Sequence, residues 1–248
     1  MRYVSDHPEA PAGALPAPAD RRFDAVLFDF HGTLAQVEDP VRWVQLAAGD
    51  CGVTLDRGQA TVLADRLVTA GRPGGPAPDR VPPALAMDWA DRDLSARAHR
   101  AAYTGLSSGV ACGIEGLPEA LYERVLRADG WAPYTDASAT LTALRAARIG
   151  VAVVSNVGFD IRPLLDQWGL ANHIQAWSLS YETGRLKPDP ASFLHACGQL
   201  RVDPERALMV GDTPTDGGAA SAGLTSLLLP AGQPGAANGL DAVVALVR

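Results

Sequence analysis

Hydrophobic and polar positions follow two different regimes along this chain. Residues 25–28 (Ala-Val-Leu-Phe) and 151–154 (Val-Ala-Val-Val) are continuously apolar rather than alternating. Short unbroken runs of this kind suit parallel strands buried on both faces. Runs at 174–179, 207–210 and 225–229 extend the strand set. Between these runs the period becomes helical. Leu141, Leu144 and Ala147 line one face of a helix ending near Gly150, and Asp160 with Pro163 opens another. Asp189-Pro190 reads as an N-cap and first-turn proline, placing Phe193, Leu194, Cys197 and Leu200 on an inward face. Strands alternating with helices predict right-handed crossovers and a parallel sheet covered on both sides.

The other regime spans residues 37–133. Apolar and charged residues mix at helical spacing over 41–48, 59–69, 88–103 and 118–128, and the breaker-rich GRPGGPAPDRVPP interrupts the middle. No strand is expected there. This stretch reads as a helical module inserted after the first strand. Residues 1–21, rich in Pro and Ala and without apolar period, read as a flexible arm.

Composition narrows the function classes. The chain has 248 residues, 47% hydrophobic and 20% charged, enough for a sizeable core. Its formal net charge is -7 with scattered cations, so nucleic acid is not an expected partner. No apolar run reaches the ~18 residues of a membrane span, and the N-terminus lacks an apolar signal core. A cytoplasmic protein without membrane contact is expected. The three cysteines lack metal-ligand spacing and read as buried thiols.

Polar residues follow each strand. Asp29 begins Asp-Phe-His-Gly-Thr-Leu after the first run, and Ser155-Asn156 follows the second. Lys187 lies in Gly-Arg-Leu-Lys-Pro, and Asp212 and Asp216 lie in Gly-Asp-Thr-Pro-Thr-Asp. In a doubly wound sheet the carboxyl ends of strands line the ligand crevice, so these groups can converge. Three crowded carboxylates repel unless a cation joins them, and hard oxygen ligands suit Mg²⁺. A lysine and a hydroxyl beside such an ion suit a phosphoryl group, which a carboxylate can attack to form an aspartyl phosphate.

In order and spacing, DFHGTL, VVSN, GRLKPDP and VGDTPTD resemble the motifs of the haloacid dehalogenase-like hydrolase superfamily, in the branch with a helical cap after the first motif. The resemblance covers about residues 23–230. It implies an α/β fold: a Rossmann-like parallel sheet core (22–36 and 134–248) with an inserted all-helical cap (37–133). It further implies a Mg²⁺-dependent phosphatase acting on a small-molecule phosphate ester. By this resemblance Asp29 is the nucleophile, and Ser155 binds the transferred group through its hydroxyl. Lys187 steadies the charge on both. Asp212 holds Mg²⁺ with Asp29 and the main-chain carbonyl of His31, and Asp216 is a second acidic position reachable through water. Gly32, Thr33 and Asn156 belong to the phosphate cradle, chiefly through backbone N–H groups.

His31 departs from the pattern, since phosphatases of this family usually carry aspartate there as general acid and base. Three readings compete: a working acid/base, a pocket reshaped for a non-standard reaction, and weakened catalysis in a binding or regulatory protein. Dehalogenases of the superfamily also lack that aspartate and share Ser-Asn in the second motif, but they work without metal. The full acidic set at Asp212 and Asp216 favours phosphoryl chemistry. Asp216 also suits a carboxylate at the positive end of the next helix. Trp43, Trp89, Tyr103 and Trp131 read as core packing, and Arg42 as a solvated arginine.

Overall fold

The computed structural model describes residues 21–247. The arm read over residues 1–21 lies outside the described residues except for Arg21, which donates to Asp24 and to the carbonyl of Ala147. In chain order the first elements are β1 (Ala25–Phe28), β2 (Ala35–Val37), α1 (Pro40–Asp50), α2 (Arg57–Ala70), α3 (Ala86–Ala90), α4 (Ala96–Ser108) and α5 (Leu117–Val125). There follow β3 (Trp131–Pro133), α6 (Ala137–Ala146), β4 (Gly150–Ser155), α7 (Arg162–Gln167), β5 (Ala176–Leu179) and α8 (Ser180–Thr183). The chain closes with α9 (Pro190–Leu200), β6 (Ala207–Gly211), α10 (Pro214–Gly217), β7 (Thr225–Leu228) and α11 (Asp241–Leu246).

Five strands form a parallel sheet in the order β5-β4-β1-β6-β7. β1 is central, and its four residues are all fully buried, which is why its sequence is an unbroken apolar run. Phe28 pairs with Val153 on one side and Val210 on the other. That register fixes the site: the segments after β1, β4 and β6 leave the sheet at the same edge. One apolar layer packs Phe28, Leu141, Leu144, Leu164 and Val210 on one face, and a second packs Leu27, Val154, Phe193 and Met209 on the other.

The helical segment has a core of its own, built from Trp43, Val44, Ala47, Leu63, Leu67, Leu117 and Leu121. Asp39 caps α1 by accepting from Val41 and Arg42, and Asp56 with Gln59 forms a reciprocal capping box on α2. Two expectations need correction here. The 88–103 helix is broken: α3 ends at Ala90, and Ser95 caps a new start at Ala96. Residues 37–133 also contribute strand, because β2 and β3 pair antiparallel with Val37 opposite Trp131. Strands of three residues leave no readable alternation, so the ribbon was invisible in the sequence. It joins the chain entering the helical segment to the chain leaving it.

On α9, Phe193 and Cys197 point inward as read, but Leu194 is 43% exposed. One residue beyond Phe193 is a rotation of about 100° on a helix, which turns Leu194 off the buried face. The helical segment also docks on the core. Ser180 Oγ donates to the carbonyl of Asp93, and it accepts from the Val157 N–H at 2.9 Å. A Cβ on Gly158 would lie 2.1 Å from the Arg92 carbonyl oxygen, so only glycine permits this approach.

Candidate active site

The sheet edge gathers the acidic and basic groups into one buried cluster. Lys187 Nζ lies 2.8 Å from Asp29 Oδ1 and 2.6 Å from Asp216 Oδ1. It is the one lysine in a chain whose other 20 of 21 basic residues are arginines. A slot between two carboxylates suits a compact ammonium and not the planar fork of arginine. Burial works against the Lys187 charge, but Asp29 and Asp216 outweigh it and hold the ammonium above its ordinary value.

The loop that presents Lys187 is held from two sides. Asn156, just beyond β4, spans the main chain of Lys187 with its side-chain amide. Pro188 packs so close to Gly218 that a Cβ on the glycine would lie 2.4 Å from the proline Cβ. The sequence reading gave the 155–156 segment a phosphate-cradling backbone. The amide of Asn156 itself is occupied in positioning Lys187.

Asp216 is fully buried and both of its oxygens are engaged. Oδ1 meets Lys187, and Oδ2 accepts from Thr213 N at 3.0 Å and Thr213 Oγ1 at 2.7 Å. It is thus the third residue of a capping box on α10 as well as a partner of Lys187. Gly211 makes room for it, since a Cβ there would lie 2.1 Å from Asp216 Cγ.

Asp212 differs. Its Oδ1 is buried without a hydrogen-bond partner. Burial pushes its carboxyl up to about 6, with the negative charges of Asp29 and Asp216 adding to the shift. One oxygen from each of Asp29, Asp212 and Asp216 lies within 4.8 Å of the others. Against these three carboxylates stands one ammonium, which leaves two negative charges over. An orphaned buried oxygen in an over-negative pocket fits a divalent cation. Gly32, at φ +80°, serves the same arrangement: a Cβ there would lie 2.3 Å from Asp212 Oδ2.

Asp29 is 8% exposed, and its Oδ1 accepts from the Phe30 N–H at 2.7 Å as well as from Lys187. Ser155 ends β4 one strand away and is also buried. Thr33 sits behind this surface, fully buried, with its hydroxyl unpartnered. Its N–H turns to the Phe30 carbonyl at 3.4 Å and the Gly32 N–H to the Ala35 carbonyl at 2.8 Å, so both donors are engaged within the loop. Asn238 was missed by sequence reasoning. Its Nδ2 donates to the carbonyls of Gly32 at 3.1 Å and Thr33 at 3.3 Å, tying the nucleophile loop to the C-terminal segment. It belongs to no motif, and a lone Asn in a Gly-rich stretch gives no signal.

His31 packs edge-on against Trp131, with ring centroids 5.6 Å apart. Its Nε2 bonds Gln36 Oε1, and that oxygen also accepts from the Val37 N–H at 3.0 Å. An atom that accepts a backbone N–H is the amide oxygen, so Nε2 is the protonated nitrogen and Nδ1 carries the free lone pair. Burial holds the ring below its ordinary value; Arg72 pushes the same way, against Gln36 and Asp29.

The model of the family described as "haloacid dehalogenase-like hydrolase" matches residues 23–223. The chain belongs to this family. It is therefore a hydrolase, on a fold shared by many chemistries. Over 112 residues it is 36% identical to the "Phosphoglycolate phosphatase, plasmid" of Cupriavidus necator, a match covering 43% of this chain and 48% of that one. The chain thus matches about half the length of that curated relative. Two solved structures share the fold of this hydrolase. A dehalogenase superposes with a TM-score of 0.63 at 22% identity, covering 91% of this chain and 98% of that one. A phosphatase of the family from Thermococcus onnurineus superposes with a TM-score of 0.55 at 22% identity, covering 89% and 96%. Because neighbours of both chemistries share the fold, the reaction has to be argued from the site. Among the described residues no helix is long and apolar enough to cross a membrane.

Proposed function

We propose that this hydrolase is a Mg²⁺-dependent phosphatase of small-molecule phosphomonoesters, working through an aspartyl phosphate on Asp29. The observation that carries this reading is the unpaired, buried Asp212 Oδ1 in a pocket with two negative charges in excess. A metal-free dehalogenase has no use for that excess. Asp29 and Asp212 would hold the ion with the His31 carbonyl, while Asp216, with both oxygens engaged, serves Lys187. When bound, the ion neutralises charge and polarises the phosphoryl group.

The chain's own groups supply the remaining steps. Phe30 N–H and Lys187 fix Asp29 through Oδ1, leaving Oδ2 to attack phosphorus. The Oδ2–P bond forms as the ester P–O bond breaks, and the leaving alkoxide takes up a proton from water. Lys187, Ser155 and the backbone N–H group of Asn156 receive the charge on the phosphoryl oxygens, the Gly32 N–H being taken by the Ala35 carbonyl. Water then attacks phosphorus, the Oδ2–P bond breaks, and the water's proton passes to His31 Nδ1 and on to solvent; inorganic phosphate leaves and Asp29 is regenerated. The helical segment, as a cap, excludes bulk water during the first step.

Turnover of p-nitrophenyl phosphate with Mg²⁺, compared with Asp29→Asn, tests this directly. The reading expects metal-dependent release that the substitution abolishes. Undiminished turnover by Asp29→Asn, or halide release from a 2-haloacid in EDTA, contradicts it.

A further inference from the structure

Beside the site lies a cavity of about 520 Å³ between the helical segment and the loop after β7, with Gln36, Val37, Arg72 and Gly74 on one wall and Gly232 and Gln233 on the other. Gln36 is the partner of His31. Gly74, at φ +68°, comes so near that a Cβ there would lie 2.9 Å from His31 Nε2. The cavity therefore adjoins the group placed at the scissile bond, where the alcohol part of an ester extends.

Arg72 is the one cation in that lining and is only 5% exposed. Its guanidinium lies over the Trp43 ring at 4.4 Å, and Nη2 donates to the Glu38 carbonyl at 3.1 Å. Nε is buried without a partner, and among the described residues no carboxylate lies within 4 Å of the guanidinium. The carboxylates of the two acids in the wall make their close contacts elsewhere, Glu38 with Arg124 and Arg42 and Asp39 at the N-terminus of α1, and reach Arg72 only as longer-range attraction. Burial pulls Arg72 down to about 10 against the attraction of Glu38 and Asp39, which still leaves it charged at neutral pH. Buried guanidinium groups are normally paired with anions, so a lone one in a cavity wall marks a place for an anion.

We propose that Arg72 is a specificity-determining residue that receives a carboxylate on the leaving group of the substrate. This assignment rests on the phosphatase reading of the adjoining site. A single planar fork matches a planar carboxylate, whereas a second phosphate would ask for another cation that the lining lacks.

The test is calorimetric binding to the full chain carrying Asp29→Asn, with Mg²⁺, of two matched esters: carboxymethyl phosphate (phosphoglycolate) and 2-hydroxyethyl phosphate, whose alcohol part is uncharged. The carboxylate ester should bind about tenfold or more tightly. Adding Arg72→Gln should bring the two within about twofold, with Arg72→Lys between. Equal affinities in the parent, or no binding of either ester, overturn the proposal, and that comparison needs no Arg72 variant to fold. Phosphate release by the wild-type chain separates the two readings. Turnover of both esters with equal affinities sinks the carboxylate site and leaves the phosphatase standing; selective binding without turnover does the reverse.

Discussion

Asn156 grips the main chain of Lys187 from both sides: its Oδ1 accepts from the Lys187 N–H at 2.7 Å, and its Nδ2 donates to the Lys187 carbonyl at 3.0 Å. The residue after β4 thereby sets the position of an ammonium 31 residues away in sequence. Asn156→Ala removes both bonds and leaves two main-chain groups to find other partners. It should destabilise the fold by about 1–3 kcal/mol and lower kcat by roughly tenfold or more as Lys187 loosens. Thermal melts and steady-state kinetics check this; an unchanged kcat would show that Lys187 is placed by other contacts.

Lys187 and Asp216 should behave as a unit distinct from Asp212. Asp216→Asn removes a charge from Lys187 and leaves the ion's own ligands in place. It should lower kcat by about 10²-fold while weakening Mg²⁺ far less than Asp212→Asn does. Lys187→Arg should be nearly as damaging as Lys187→Ala, because the slot is built for an ammonium. Metal titrations of the two aspartate variants decide the matter, and equal losses of Mg²⁺ affinity would make Asp216 a ligand.

The pH response follows from Asp212. Its carboxyl has an ordinary value of 3.8 and titrates at about 6 in the fold. The folded state therefore holds the extra proton between those values, and without metal the protein loses stability as pH rises through that window. The penalty is on the order of 1 kcal/mol once partial exposure is allowed for, and it is fully present above about pH 6. Mg²⁺ should raise Tm at neutral pH, with the gain vanishing below about pH 6. Asp212→Asn should raise the metal-free Tm at neutral pH and abolish the Mg²⁺ gain. Scanning calorimetry with and without Mg²⁺ reads both effects, and a metal gain that survives the substitution would count against the ligand assignment.

His31, neutral and donating through Nε2, is better placed to take a proton from water than to give one to a leaving alkoxide. His31→Asp should raise kcat for alkyl phosphomonoesters by ~10–100-fold. It should change p-nitrophenyl phosphate turnover much less, since that leaving group departs without protonation. Kinetics on the two ester classes check this, and equal factors for both would show that leaving-group protonation is not what position 31 limits.

Much of the architecture was legible because a parallel sheet writes itself plainly. β1 and β4 are unbroken apolar runs, and Asp189-Pro190 announces α9. Asp29, Lys187, Asp212 and Asp216 were readable because each follows a strand end or sits beside a Pro or Gly turn. The β2–β3 ribbon was not legible, its strands being three residues long. Nor were the residues that orient the site. Gln36 and Asn238 act through contacts set by tertiary packing, and neither carries a local pattern. Asp216 was read as a metal position or a helix-end carboxylate. Its bond to Lys187, the only lysine, emerges once α10 is placed.

In the proposed mechanism Asp29 Oδ2 takes up the phosphoryl group. Acid-quenching the enzyme during turnover of p-nitrophenyl phosphate with Mg²⁺, followed by peptide mass spectrometry, measures this most directly. The predicted result is phosphate carried on Asp29 in the wild-type chain and none in Asp29→Asn. Steady turnover with Asp29 unmodified, or phosphate found on another side chain, would contradict it.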